Sequence, residues 1–222
     1  MKKDYDHDRM RSGRESIITM VYRPFVESIA KVIFKTNITP NQMTTMGILI
    51  SLVGGVFFAL GEWKYLIIGA VLVQLVLISD MLDGKIARYK NLKSLFGEWY
   101  DGIANKIFKY FLFFGATIGV YRTSGNPLIL IVGAVAIFNV TMIAFILYIK
   151  QFSIFSKGHT ELPRIKGFEI PFGLLTLVGL SIFALFNVVG LFLWIFATFG
   201  TLAWIKQIHS CYRLGKKHRV KT

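Results

Sequence analysis

The sequence has little or none of several residue types on which common active sites depend. Its one cysteine, Cys211, excludes an internal disulfide and offers no pair of thiols for redox chemistry. Its four histidines are scattered without the short spacing of a zinc site. No glycine-rich phosphate loop, nucleophilic triad or internal repeat is present. These absences leave thiol chemistry, a zinc site and a P-loop without support.

Charged residues are scarce as well, at 17% of the chain, whereas 54% is hydrophobic and the mean hydropathy is +0.56. A soluble domain of this size does not usually tolerate such a composition. Apolar runs of roughly 20 residues can cross a bilayer. Six such runs lie at 43–61, 64–82, 99–121, 127–149, 170–187 and 189–208. The predicted fold class is an all-α integral membrane protein with six transmembrane helices, preceded by an N-terminal amphipathic juxtamembrane helix.

Positive charge is distributed unevenly between the two sides of this predicted bundle. Of the 26 lysines and arginines, only Lys64 and Arg122 lie near the three short turns on one side. The positive-inside rule therefore predicts that both termini are cytoplasmic. Anionic lipid headgroups explain the net charge of +14 better than nucleic acid does, so no nucleic-acid partner is expected.

The predicted organisation has three parts. Residues 1–42 form a cytoplasmic arm and an interfacial helix, 43–208 form the transmembrane domain, and 209–222 form a basic cytoplasmic tail. Between about residues 15 and 34, apolar residues recur at helical spacing between charged ones. This segment is predicted to lie in the membrane interface. The alternative is a solvated arm that packs on the bundle. The apolar residues are Ile18, Val21, Phe25, Ile29 and Ile33.

Acidic residues occur at helical spacing near the end of the second predicted span. Asp80, Asp83, Gly84, Ala87 and Arg88 follow one another at i, i+3, i+4, i+7 and i+8, so they share one face of a helix. A carboxylate within the bilayer costs roughly 2.5–3.5 kcal/mol on insertion scales, and neighbouring like charges repel further. These positions therefore indicate a function rather than packing.

A second stripe lies at the start of the third predicted span. Gly97, Asp101 and Asn105 are spaced by four residues, about one helical turn, and Ser94 and Glu98 flank them. The two stripes can bring three carboxylates to one point. A divalent cation would remove the cost of this convergence, and oxygen ligands suit Mg²⁺, Mn²⁺ or Ca²⁺. The topology predicts that the site faces the cytoplasm.

The two stripes together resemble the signature of the CDP-alcohol phosphotransferase family, D-x2-D-G-x2-A-R-x8-G-x3-D-x3-D. Seven of its eight positions are met at the right spacing. The segment Thr39-Pro40-Asn41-Gln42-Met43-Thr44 is similar to the family's helix-entry motif. The resemblance implies a membrane enzyme of phospholipid biosynthesis that transfers a phosphoalcohol, such as phosphatidyl from CDP-diacylglycerol, to an acceptor hydroxyl and releases CMP. A homodimer is compatible with it.

The resemblance also implies a role for each matching residue. The expected metal ligands are Asp80, Asp83, Asp101 and Asn105. The expected contacts to the nucleotide or the donor are Asn41, Thr44, Asp83, Gly84, Arg88, Ser94 and Gly97. Without the resemblance, Asn41 and Thr44 are equally consistent with the N-terminal cap of span one. Lys85, Lys106 and Lys109 are expected to serve the membrane surface.

Asn105 departs from the signature, which has its last Asp there. The resemblance implies that the residue at this position is both a metal ligand and the general base that deprotonates the acceptor hydroxyl. An amide cannot act as a base, although its oxygen can ligate a metal weakly. Three explanations stay open. The residue is a substitution made to trap a bound state, a natural variant with another base such as Glu98 or Asp101, or the mark of a relative that binds without reacting.

The acceptor is not identified by the sequence. Inositol phosphate, glycerol phosphate, serine, a diglyceride and a soluble polyol all fit. Lys150, Arg164 and Lys166 lie in a cytoplasmic loop and are candidates for an acceptor pocket. Residues 166–172 contain no paired arginines, which argues against a strongly phosphate-selective pocket of the inositol-phosphate type, although the loop lysines could substitute. Two alternative functions stay open. One is a transferase that makes a non-glycerolipid polar phosphodiester, and the other is a catalytically silent CDP-lipid binder.

Overall fold

The computed structural model describes residues 17–152 and 172–217, and all the regular structure in these ranges is helical. Seven helices follow one another along this part of the chain. They are α1 (Ile17–Ile33), α2 (Pro40–Leu60), α3 (Trp63–Tyr89), α4 (Leu95–Ser124), α5 (Leu128–Phe152), α6 (Phe172–Leu185) and α7 (Val189–Lys217).

Helices α2 to α7 pack as a closed ring in the spatial order α2, α4, α5, α7, α6 and α3, and α1 lies against α3. Five of the described helices are long and apolar enough to cross a membrane, namely α2, α3, α4, α5 over Leu128–Ile146 and α7 over Val189–Ser210. The all-α membrane fold is thus confirmed. The fifth predicted span, 170–187, contains a shorter apolar stretch, Leu175–Leu185, so the count of six stays a prediction.

The three predicted turns on one side of the bundle are present. Gly61 and Gly125 end α2 and α4 with φ of +80° and +66°, the left-handed region that glycine enters without steric cost. Asn187, with φ of +56°, occupies the turn between α6 and α7. At the other end of α2, the cap is Thr39 rather than Asn41. Its hydroxyl accepts from the Gln42 amide, and the Gln42 side chain accepts from the Thr39 amide in a capping box.

Helices α2 and α4 approach closely because glycines line their contact. A Cβ atom built on Gly55 would lie 2.5 Å from the carbonyl oxygen of Phe111. One built on Gly115 would collide with the carbonyl of Gly55, and one on Gly119 with that of Phe58. Small residues that allow backbones to approach are the usual basis of helix association in membranes. This contact fixes the position of α4 relative to α2, and hence of the residues at their shared end.

Replacing Gly55 with alanine is expected to destabilise the protein by about 1–3 kcal/mol, because the new methyl group meets backbone that cannot move aside. The measurement is thermal unfolding in detergent, followed by circular dichroism. Gly102→Ala is the matched control, since a Cβ there meets nothing within 4 Å. If both variants unfold at the same temperature, the close contact between α2 and α4 is wrong.

A buried asparagine joins α5 to α7. Asn139 is fully buried, and its amide nitrogen donates to the carbonyls of Phe196 and Ala197. Its oxygen accepts from the Thr201 hydroxyl and from Trp204 Nε1. Since every polar atom of this amide has a partner, it fixes the register of two helices without an unsatisfied group. This half of the ring carries none of the signature residues.

Helix α1 presents two apolar faces. Val26, Ala30 and Ile33 are buried against α3, whereas Val21 and Phe25 are more than half exposed. The helix therefore packs on the bundle and still presents an apolar surface suited to the membrane interface. It is tied to α3 by a Tyr22–Gln74 hydrogen bond, a Phe34–Tyr89 stack and a Glu27–Lys85 ion pair. The Arg23 guanidinium beside Glu27 holds the pKa of that carboxyl below its usual range.

Candidate functional site

Three helix ends meet at the end of the bundle opposite the glycine turns. They are the first turn of α2, the last turns of α3 and the first turns of α4. Every signature residue lies on one of these segments. α3 and α4 touch each other little and are instead both packed along α2, so α2 determines how far apart their polar faces lie.

The two predicted acidic stripes converge at Asn105. Its amide nitrogen donates to Asp80 Oδ1 at 2.7 Å and to Asp101 Oδ1 at 2.9 Å. Asp80 comes from α3 and Asp101 from α4, so one side chain bridges both helices. Ionised carboxylates only accept hydrogen bonds, and for this reason the amide presents its NH₂ group to them. Two of the three acids predicted to converge, Asp80 and Asp101, are thus brought together with Asn105 between them, and the third, Asp83, pairs with Thr44 instead.

Asp83 occupies a more enclosed position one turn from Asp80. Its side chain is buried, and Oδ2 accepts a hydrogen bond of 2.6 Å from the hydroxyl of Thr44, which is also buried. Next to this pair, the Ser79 hydroxyl donates to the Met43 carbonyl. Thr44 therefore orients Asp83 and joins α2 to α3. Its expected contact to the nucleotide stays a prediction.

The N-termini of α2 and α4 lie side by side at this site. Ser94 caps α4, and its hydroxyl accepts from the Gly97 amide at 3.0 Å. A Cβ on Gly97 would lie 3.5 Å from Asn41 Oδ1 in the first turn of α2. Asn41, Ser94 and Gly97, all expected to contact the donor, are thus brought together. Helix N-termini favour phosphate because their free amides and dipoles attract negative charge.

Gly84 and Arg88 form the outer part of the α3 face. The Arg88 guanidinium lies over Gly84, with Nη1 3.5 Å from the position that a Cβ would occupy. Arg88 is exposed, so its planar fork of donors is available to an oxyanion. A Cβ at Gly84 would be in ordinary van der Waals contact with this guanidinium.

Lys109 was expected at the membrane surface, and this expectation is wrong. Its side chain is only 7% exposed, and Nζ donates to the Asn105 carbonyl at 3.0 Å. The physical reason is its register, since Asp101, Asn105 and Lys109 follow at i, i+4 and i+8 on one face of α4. That spacing was visible in the sequence. It was missed because lysines near a span are usually topological charges.

The donor set suits a hard divalent cation without forming a complete cage for it. Asp80 and Asp101 direct oxygens to one point within 3 Å of a positively polarised NH₂ group. In residues 17–152 and 172–217, however, no three acidic, histidine or cysteine side chains lie close enough to hold a metal ion by themselves. Mg²⁺ is usually bound by one or two carboxylates together with substrate phosphates. The residues present fit an ion that arrives with a phosphate ligand.

Most of the candidates for acceptor binding lie outside the residues that the structure describes. Lys150 lies near the end of α5, in a turn whose side chains are not described. Arg164 and Lys166 lie outside the described residues, so the acceptor pocket stays a prediction. Glu98, one of the alternative bases, is exposed in the first turn of α4.

The sequence model of the CDP-alcohol phosphatidyltransferase family matches residues 37–207 of the chain. A phosphatidylinositol phosphate synthase of Corynebacterium glutamicum is 37% identical over 82 residues, which cover 37% of this chain and 36% of that one. An archaetidylinositol phosphate synthase of Pyrococcus horikoshii is 31% identical over 94 residues, covering 42% and 48%. The aligned regions thus span less than half the length of these two relatives.

Solved structures share the fold. The phosphatidylinositol phosphate synthase of Mycobacterium tuberculosis with CDP-DAG bound superposes with a TM-score of 0.66 at 21% identity, over 83% of this chain and 92% of that one. The same enzyme in complex with manganese and citrate gives a TM-score of 0.63 at 22% identity, over 84% and 88%. At this identity the likeness shows a common architecture.

Proposed function

The chain belongs to the CDP-alcohol phosphatidyltransferase family, and we propose that it transfers a phosphatidyl group from CDP-diacylglycerol to an acceptor hydroxyl and releases CMP. The observation that carries this proposal is the convergence of Asp80 and Asp101 on Asn105, beside two adjacent helix N-termini. A site that combines acids with phosphate-attracting helix ends suits a diphosphate accompanied by a cation.

The donor would bind with its diphosphate across the mouth of the site. Asn41, Ser94 and Gly97 line the side formed by the two helix N-termini, and Arg88 lies on the other side above Gly84. Arg88 is suited to hold a phosphate through two parallel hydrogen bonds. The lipid part would extend into the bilayer alongside the bundle.

The ion is proposed to be Mg²⁺ or Mn²⁺, with Ca²⁺ a weaker fit to the same oxygens, held by Asp80, Asp83, Asp101 and the Asn105 oxygen. A similar structure was obtained with manganese and citrate, which supports this choice. To present its oxygen, the Asn105 amide must turn from the orientation in which its nitrogen donates to both acids. When bound, the ion neutralises charge that develops on the diphosphate oxygens and makes CMP a better leaving group.

In the proposed reaction, the acceptor oxygen attacks the β-phosphorus in line with the bond to the bridging oxygen. The new P–O bond forms, the old one breaks, and CMP leaves with the electron pair. Asn105 cannot take the proton of the acceptor. Asp101 is hydrogen-bonded to Asn105 and only half-buried, so it is the carboxylate placed to take the proton instead. Because Asp101 also serves the ion, turnover is expected to be slow.

A silent CDP-lipid binder is the second candidate function. The observation in its favour is that the Asn105 amide donates hydrogen bonds to one oxygen of Asp80 and to one oxygen of Asp101. Such a protein would bind a cytidine diphosphate lipid without reacting, because the hydrogen bonds from Asn105 occupy Asp80 and Asp101. It shares the donor site of the first candidate and differs only in turnover.

The location follows from charge. We propose that both termini and the site lie on the cytoplasmic side, where water-soluble CMP and metal ions have access, on the basis of the basic residues at that end. Membrane lipids surround the ring, and no nucleic acid takes part. A homodimer is proposed from family likeness alone.

The test is CMP release by the purified protein in detergent with Mg²⁺ and CDP-diacylglycerol. Inositol phosphate heads the acceptor panel because two relatives are phosphatidylinositol and archaetidylinositol phosphate synthases. Glycerol phosphate, serine, a diglyceride and free inositol complete it. The proposal predicts slow release with one acceptor and none after chelation. Donor binding without release from any acceptor would replace the transferase with the silent binder.

A further inference from the structure

One buried cation in the site has no part in the reaction proposed above. Lys109 is enclosed by the bundle, and its one described hydrogen bond goes to the carbonyl of Asn105. An isolated ammonium group in a membrane helix is costly unless it lies near negative charge. Asp101 lies on the same face of α4 and carries a charge that can offset this cost.

The geometry of α4 directs Lys109 towards those acids. Long side chains on a helix point back towards its N-terminus, and Asn105 and Asp101 lie about one and two turns in that direction. The bond from Nζ to the carbonyl of the residue four positions earlier has this direction. Asp101 shares this face of α4, and Asp80 meets it at the Asn105 amide, next to the carbonyl that Lys109 contacts. The ammonium therefore lies behind the acid cluster, on its membrane side.

We propose that Lys109 is a fixed counter-ion of the acid cluster, which stabilises the site when no metal is bound and weakens metal binding when one arrives. This inference rests on the metal site of the proposed function. Together with the NH₂ group of Asn105, Lys109 supplies positive charge to Asp80 and Asp101 from within the protein. A divalent ion entering the cluster then meets a like charge behind it, and its affinity is lowered.

Lys106 provides a matched comparison on the same helix. It also donates to the carbonyl four residues earlier, that of Gly102, at 3.4 Å. Its side chain is only half-buried, and Gly102 is exposed to the surroundings of the bundle. Lys106 also lies near enough to Asp101 for its charge to act on that carboxylate, but its half-buried side chain is screened more strongly than the buried side chain of Lys109. Removing each lysine in turn therefore separates a buried charge behind the acids from an ordinary charge nearby.

The experiment is a Mn²⁺ titration of the donor-free protein in detergent, read by electron paramagnetic resonance of the free ion. Lys109→Met is expected to bind Mn²⁺ about 10- to 100-fold more tightly than the unaltered protein, because a like charge near a divalent ion is lost. Lys109→Arg, which keeps the charge, is expected to change the affinity little. Lys106→Met is expected to tighten binding less than Lys109→Met does, because Lys106 is less buried. In the absence of metal, Lys109→Met should unfold at a lower temperature than the unaltered protein. Added Mn²⁺ should remove this difference in unfolding temperature.

If Lys109→Met binds Mn²⁺ no more tightly than Lys106→Met, the inference is wrong, while the metal site remains. If neither the unaltered protein nor any variant binds Mn²⁺, with CDP-diacylglycerol added or without it, the metal site of the proposed function is itself overturned. Where binding requires the donor, the affinities of the variants are compared with the donor present. Should Lys109→Met fail to fold, Lys109→Gln gives the same comparison, since its amide can still donate a hydrogen bond but carries no charge.

Discussion

Asp80→Ala is expected to reduce CMP release by about 10³-fold or more, because it removes a carboxylate that helps hold the charge-neutralising ion. Asp80 is the acid that α3 contributes to the convergence on Asn105. The loss should appear in the maximal rate at saturating donor, measured with purified protein over a range of Mg²⁺ concentrations. Partial recovery at high Mg²⁺ is also expected, since a weakened site fills at higher metal concentration.

Glu62→Ala is the control for Asp80→Ala. Glu62 lies at the opposite end of the bundle, exposed and paired with Lys64 at 2.8 Å. Its loss should leave the rate unchanged. Asp80→Asn, which preserves shape, distinguishes lost chemistry from lost packing and should be nearly as slow as Asp80→Ala. Unchanged turnover in Asp80→Ala would remove Asp80 from the metal ligands.

The second large effect is expected from Asn105→Asp. A carboxylate at this position can take the proton of the acceptor, and a placed general base contributes about 10²–10⁴-fold to a rate. CMP release should therefore rise by about 10²-fold. The fourth carboxylate also adds like charge beside Asp80 and Asp101, so the variant should be less stable without metal and gain more from Mn²⁺. Initial rates and thermal unfolding measure the two effects.

Asn126→Asp, at the far turn between α4 and α5, is the control for the change of charge and should have no effect. The outcome also decides among the explanations of Asn105. Release only from Asn105→Asp would identify an inactivated transferase. Equal release from both proteins would contradict the role assigned to position 105 and leave Asp101 or Glu98 as a sufficient base. Silence from both, with donor bound, would favour the binding protein.

The convergence of the site was predictable from spacing alone. Helical periodicity placed Asp80 on one face of α3 and Asp101 with Asn105 on one face of α4, and the structure joins them at 2.7 and 2.9 Å. Spacing is informative here because an acid in an apolar helix has few low-cost positions other than a shared polar site.

Contacts between helices that are distant in the chain could not be predicted from the sequence in the same way. The Thr44–Asp83 hydrogen bond and the burial of Lys109 depend on how α2, α3 and α4 pack, which periodicity within a single helix does not determine. Likewise, Thr39 rather than Asn41 caps α2. Several residues of that segment could serve as a cap, and the reciprocal bond with Gln42 favours Thr39.

The acceptor shows where sequence reasoning and the comparisons differ. The lack of paired arginines at 166–172 argues against an inositol-phosphate pocket, whereas two relatives are a phosphatidylinositol phosphate synthase and an archaetidylinositol phosphate synthase. The segment lies outside the described residues. A phosphate can be bound by single lysines as well as by paired arginines, so the acceptor panel, with inositol and inositol phosphate compared directly, decides this point.

The most direct test of the proposed catalytic site is the position of Mn²⁺ in crystals grown with a cytidine diphosphate donor, located by anomalous scattering. An anomalous peak is expected between the carboxylates of Asp80 and Asp101, with the donor diphosphate as a further ligand and the Asn105 amide turned to present its oxygen. A donor bound elsewhere, or a peak away from these two carboxylates, would contradict the claim that α3 and α4 together form the catalytic site.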